Sequence, residues 1–349
     1  MHIAAKRVFR LSLTVALSLA AAYSLAVTMP FMAPLFAVMF GAAPKPPMGP
    51  KALLVLLVAI CIMLSSGLLL IPVLTEYPAV GLMLVLLGLF FANYVTLNLG
   101  KGPVGAFLTI GITLISAMGL VAFEIAIVLI HALCINITLA IICLWVVYPL
   151  FPEEGADPPP SPAAEPQQSS WLALRATLIL FPSYLLVLTN PMAYAAIIMK
   201  AVALGQQTSE TDVKVAGREL VGSTVMAALL AALMWFCLKL APNLWMYFLW
   251  TLAFSMFLAA KFNGILKTRF TPSFWVNVLI TLLILIGPAV GDTDSGKDPY
   301  KASAVRIGLF IGVTLYAWMM LVFLEWWRGR LEQQRTRKLT RAGGAQTGH

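Results

Sequence analysis

Apolar residues in this chain run in long blocks separated by short polar breaks. After a basic start with Lys6, Arg7 and Arg10, an apolar run of about 20 residues exceeds the 7–15 of a signal-peptide core and reads as a first span. Further spans are predicted at roughly 31–41, 52–74, 79–98, 103–118 and 120–150, then 171–190, 191–204, 219–240, 243–260, 271–288 and 303–327. The pattern predicts an all-α membrane protein of about twelve transmembrane or half-spanning helices, six on each side of a polar break. With 61% hydrophobic and 11% charged residues and a mean hydropathy of +0.92, the chain lies far from soluble domains, whose charged fraction is about 25%.

The two sixes share a pattern. Tyr-x-Leu-x-x-Thr-x-Pro occurs at Tyr23 to Pro30 and again at Tyr184 to Pro191, each time followed by a short apolar run that ends near a glycine, Gly41 or Gly205. Proline cannot continue the helical hydrogen-bond ladder, and a run of about 11–14 residues makes only about 17–21 Å of helix. Such a segment does not cross a hydrocarbon core of about 30 Å. Beyond these stretches the halves align at nearly constant offset: Lys51 precedes Arg218 by 167 residues, and Phe107, Thr113 and Gly119 precede Trp275, Thr281 and Gly287 by 168. An even number of spans per copy predicts two parallel six-helix repeats about an axis along the membrane normal. The expected domains are a first membrane repeat at 1–150, a Pro-rich linker at 151–170, a second repeat at 171–330 and a basic tail at 331–349.

Charge sets an orientation. Threaded from a cytoplasmic N-terminus, every basic residue falls on the inner side except Lys200, Lys239, Lys297, Lys301 and Arg306, which predicts a multi-pass protein with both termini in the cytoplasm. The net charge of +9 is therefore a topology signal and not a nucleic-acid footprint. Cys61, Cys134, Cys143 and Cys237 all sit in apolar runs without metal-ligand spacing, and the acidic loop around Asp292 and Asp294 lacks the Gly and Glu of a calcium loop. No nucleotide-binding, serine-hydrolase or zinc-protease motif occurs, so neither an enzyme nor a cofactor is expected.

Ionisable groups inside spans mark function. Lys200, nine residues after Pro191, either snorkels to the inner surface or lines a solute path; Asn190 and Tyr194 flank the same proline. Glu124 is either a shallow interfacial residue or, with His131 seven residues on and so on the same face, a proton-coupling group. Arg10 and Arg175 at the inner ends of the first span of each half, with Lys51 and Arg218, would form a cationic inner vestibule that concentrates an anionic solute. Read singly, each of these charges is also an ordinary topology signal.

The stretch Arg218-Glu219-Leu220-Val221-Gly222-Ser223-Thr224, following a short apolar segment, resembles the Arg-Leu-x-Gly-Thr signature of the fusaric acid resistance and aromatic acid exporter superfamily. The six-span unit resembles the same superfamily and its distant relatives, the plant malate channels; in length the chain is most like a small branch of unknown function without a soluble domain. In the first half the signature has decayed to Lys51-Ala-Leu-Leu-Val. The resemblance assigns Arg218, Gly222 and Thr224 to the signature. It implies a bacterial inner-membrane permease that exports aromatic or other organic acids on the proton gradient, in contact with a periplasmic membrane-fusion adaptor. A passive anion channel and a non-transporting membrane scaffold of an envelope complex are the alternatives.

Overall fold

The computed structural model describes residues 3–43, 46–99, 102–153, 166–191, 194, 197–202, 213–294 and 299–346, and every regular element among them is helical. In chain order these are α1 (Ile3–Ser24), α2 (Met32–Gly41), α3 (Pro50–Glu76), α4 (Pro78–Leu99), α5 (Gly102–Val121) and α6 (Phe123–Val147). The second half has α7 (Pro166–Thr189), α8 (described at 197–202), α9 (Val213–Leu240), α10 (Leu244–Phe262), α11 (Pro272–Asp294) and α12 (Pro299–Gln346). Among the described residues, nine helices, α3 to α7 and α9 to α12, are long and apolar enough to cross a membrane. The chain is thus a multi-pass all-α membrane protein.

The first proline stretch ends α1 and starts the short α2, forming the turn of a helical hairpin. After Ser24 the backbone unwinds, with Ala26 and Met29 in the left-handed region at φ 48° and 53°, and restarts as α2 running back along α1. Gly41 there approaches Leu11, so that an added Cβ would meet the leucine at 3.2 Å. The freed carbonyl of Thr28 accepts a hydrogen bond from Asn136 Nδ2 of α6 at 3.0 Å. That contact satisfies a backbone group that lipid cannot. The second copy folds differently, since α7 stays helical through Thr189.

The two halves meet through α1 packed along α10 and α4 packed along α7, the first helix of each against the fourth of the other. Tyr23 of α1 stacks edge-on against Tyr247 of α10, with centroids 5.4 Å apart, and Asn93 of α4 donates to Thr177 of α7 at 3.2 Å. The motif tyrosines also reach across. Tyr184 shares a hydrogen bond with Ser116 of α5 at 3.0 Å, while the Tyr23 hydroxyl lies 3.5 Å from the Gly287 carbonyl of α11.

Within the first half, α3 and α5 touch backbone to backbone. A Cβ on Gly67 would overlap the Gly111 carbonyl oxygen, and Gly111 opens a π-helical turn, Gly111–Ile115, in α5. Small residues let apolar helices approach where no hydrophobic force drives them together.

Two expected boundaries shift. α7 begins at Pro166, inside the predicted linker, and α12 continues unbroken into the predicted tail. The latter follows from sequence, because from Leu331 to Arg341 the chain is mostly Leu, Glu, Gln, Arg and Lys, all good helix formers, with no proline.

Gly67→Val is expected to lower the melting temperature in detergent, because overpacking a closed contact costs about 1–3 kcal/mol. Gly308→Ala, where nothing lies within 4 Å, should leave it unchanged or raised.

Candidate functional site

The second half carries a polar seam in otherwise apolar surroundings, and α11 is its spine. Thr271, just before α11, donates to Glu219 Oε1 of α9 at 2.5 Å; Asn277 donates to Ser223 Oγ of α9 at 2.5 Å; and Thr281 accepts from Lys200 Nζ of α8 at 2.9 Å. Asn277 and Thr281 are one turn apart and so share a face. All of these groups except Thr271 are buried, with Ser223, Thr281 and Lys200 at 0% exposure. The ammonium of Lys200 has the Thr281 hydroxyl as its partner, and no carboxylate pairs with it among the described residues.

Depth follows from α11. Thr281 is nine residues beyond Pro272, where the apolar span begins, or about 14 Å of helix. In a core about 30 Å thick the Lys200 ammonium therefore sits near the midplane. A snorkelling lysine would reach for the interface; this one is held across to α11.

The signature residues serve packing around this seam. Gly222 leaves room for the Phe274 ring, which an added Cβ would meet at 3.4 Å, and Thr224 shares a hydrogen bond with Thr314 of α12 at 3.2 Å. The backbone of Arg218 lies in α9, and its side chain is outside the described residues.

The remaining expected residues are not gathered here. Arg10 is buried, but its Nη1 is 2.8 Å from Glu153 Oε2, and Arg7 Nε donates to the other oxygen of that carboxylate at 2.7 Å. Arg175 Nη1 is 2.8 Å from Glu325 Oε1 of α12, which also accepts from Trp171 Nε1 at 3.1 Å. Each arginine expected in the cationic vestibule is thus held by an acid of its own half: Glu153 just beyond α6, which Arg10 shares with Arg7, and Glu325 within α12. Lys51 is exposed in the first turn of α3, Asn190 is exposed beyond α7, and Tyr194 is half-buried beyond Pro191. His131 and Glu124 are both exposed on α6. They face away from the bundle interior because the opposite stripe of α6, with Leu129, Leu133, Asn136 and Ile137, is the buried one. The expected proton-coupling pair is thus not gathered with Lys200.

Several partners were not anticipated from sequence: Glu153, Glu325, Glu219, Asn277 and Thr281. Asn277 and Thr281 carried a signal, two hydrogen-bonding residues four apart inside a predicted span. Glu153 and Glu325 gave none, because their arginines lie more than 140 positions away.

Comparison with known proteins finds one family. Over residues 7–147 the chain is similar to a protein family of unknown function, DUF2955, and the match ends where α6 ends. No curated protein and no solved structure matches the chain.

Burial works to raise the pKa of Glu153, but the hydrogen bonds and charges of Arg7 and Arg10 outweigh it and hold the carboxyl below its ordinary value of 4.5. A depressed carboxyl contributes stability that is full above that ordinary value and is lost as pH falls through the lower, folded one. Glu153→Gln should therefore cost on the order of 3 kcal/mol at neutral pH, since Arg10 is left buried without its acid. The gap to wild type should close below pH 4.5 in thermal melts taken across acid pH.

Proposed function

We propose that the protein is a permease for small organic anions and that Lys200, held on Thr281, is the group a solute carboxylate meets. One observation carries this: a fully buried ammonium near mid-depth with a single hydroxyl partner and no acid among the described residues. An unpaired buried charge costs several kcal/mol in effective terms, and a carboxylate arriving from solution would remove that cost. Transporters bind their solutes near the midplane beside interrupted helices, and Lys200 follows the break in helix at Asn190.

The arrangement of α1 on α10 and α4 on α7 supports two parallel six-helix repeats, as does a family match that ends with the first six. The resemblance to aromatic acid exporters narrows the solute to aromatic and related acids. It also supplies export across the inner membrane, the proton gradient as driving force and a periplasmic adaptor as partner. The outward position of His131 and Glu124 favours a second mechanism within the same class, a passive anion channel, because it takes from the path the two groups that would have carried a proton.

Transport is tested in proteoliposomes. Lys200→Met keeps the apolar stem and deletes the charge; it should cut benzoate flux by about tenfold or more, the size of one charge-assisted hydrogen bond of about 1.5–3 kcal/mol, and leave flux of neutral benzamide unchanged. Lys200→Arg should retain part of the benzoate flux. Equal benzoate flux in wild type and Lys200→Met, at equal protein per liposome, would sink the assignment.

Orientation has its own test. Reporter fusions at Thr340 in α12 and Asn243 between α9 and α10 should report cytoplasm and periplasm respectively, the inward bias of Lys and Arg being the reason. The reverse result would invert the direction of transport proposed.

A further inference from the structure

The thiols of Cys61 in α3 and Cys134 in α6 meet, their sulfurs 3.3 Å apart, and both are unbonded cysteines. Each stands eleven residues beyond the start of its helix, or about 16 Å along it. With α3 and α6 both of spanning length, the pair lies near mid-depth. Both cysteines are half-buried, and the residues that follow them, Ile62 and Ile135, are 67% and 51% exposed. The pair therefore sits where the seam between α3 and α6 reaches the outer, lipid-facing surface.

His131 belongs to the same edge. It stands three residues before Cys134 on α6, and residues three apart are surface neighbours with Cβ atoms about 5–6 Å apart. Side chains also tilt toward the helix start, which leans Cys134 back toward the imidazole. Ionisable groups within spans almost always turn inward, so an exposed histidine beside a dithiol calls for a local role. The other titratable side chains of α3 and α6 are Lys51, Glu76 and Glu124 near helix ends and Cys143 three turns on; α5 has none. His131 is thus the base at hand. No third His, Cys, Asp or Glu comes close enough to hold a metal ion with the thiols among the described residues, which favours a bond between the sulfurs over a metal shared by them.

We propose that Cys61 and Cys134 form a dithiol that reduces a lipid-soluble quinone and is itself oxidised to a disulfide joining α3 to α6. Ions are costly in the hydrocarbon core, so an oxidant that reaches this depth from the lipid is uncharged. A quinone is uncharged, and it takes two electrons and two protons, the number that two thiols give up. The thiolate is the reactive form of cysteine, and His131 takes the proton of Cys134. The Cys134 sulfur adds to the quinone ring; the Cys61 sulfur then attacks it and displaces the ring, which leaves with the electron pair. The two ring oxygens receive the proton of Cys61 and the one held by His131. Two S–H bonds are broken, one S–S and two O–H bonds are made, and the imidazole is restored. The product ties α3 to α6 according to the redox state of quinone in the surrounding lipid. None of this rests on the assignment of Lys200.

The test uses the whole protein, reduced and then freed of reductant, in phosphatidylcholine nanodiscs under anaerobic conditions with decylubiquinone as oxidant. One hydroquinone per chain should form above the level in empty nanodiscs. Free thiols should fall from the four of the sequence by one pair, and peptide mapping should find Cys61 joined to Cys134. Cys61→Ala and Cys134→Ala should each make no hydroquinone. His131→Gln, at an exposed position, should reach the same final yield about tenfold or more slowly, a modest share of what a positioned base contributes. Glu124→Gln, on the same face but near the helix start, and Lys200→Met should react as wild type does. Hydroquinone no greater than the empty-nanodisc level, a quinone retained covalently on a single thiol, undiminished yield from either cysteine variant, or equal rates in His131→Gln and wild type would each overturn the proposal.

Discussion

A polypeptide in a bilayer must satisfy its own backbone hydrogen bonds, and this chain stops doing so in regular fashion where α1 gives way to α2. Between Ser24 and Met32 the helix unwinds, and Asn136 of α6 takes up the Thr28 carbonyl. That one side chain lets the chain turn back as a hairpin inside the bundle. In the second half the break falls later, after Thr189, and the helix beyond it carries Lys200 into the seam along α11. The same interruption produces a well-packed hairpin in one half and a buried charge in the other.

Charge is distributed on a second constraint. Buried arginines near the inner ends of α1 and α7 would each be costly alone. Each has a glutamate of its own half: Glu153, just beyond α6, for Arg10 and Glu325, within α12, for Arg175. These pairs close each half as a ring from first helix to sixth. They also explain why the halves are held together by the apolar and hydroxyl-lined faces of α1, α4, α7 and α10, with no cation shared between halves at these two positions. Against that background Lys200 is the exception, a buried cation met by a hydroxyl.

Much of the architecture was legible in the sequence because membrane spans announce themselves by length and by the absence of charge. The spans at 52–74, 79–98, 120–150 and 219–240 each correspond to a helix, with ends displaced by a few residues. The proline stretches correctly marked breaks, but periodicity could not say whether a broken segment continues outward or folds back, since that is decided by a distant partner such as Asn136. The site was legible in part. Lys200 stood out as a charge within an apolar run, whereas the spacing of Asn277 and Thr281 marked a polar face of α11 without saying which helix lies opposite it. His131 and Glu124 misled for a related reason. They share a helical face, as their spacing requires, but apolar side chains such as Ile125, Val128, Leu129 and Leu133 ring α6 on nearly every side, so no stripe in the sequence marks which face turns inward.

The differences between the halves bear on where work is done. In the first half, close glycine contacts at Gly67, Gly111 and Gly119 leave α3, α5 and α6 packed without slack. In the second, the matching helices hold a buried ammonium and a cavity of about 350 Å³ between α9, α11 and α12. Thr281 and Leu285 lie four residues apart on one face of α11, so the partner of Lys200 and a wall of the cavity are separated by a single turn, about 6 Å. Looser packing goes with lower local stability, and close glycine contacts are more frequent in the first six helices, with Gly287 against Phe31 the comparably close one described in the last six.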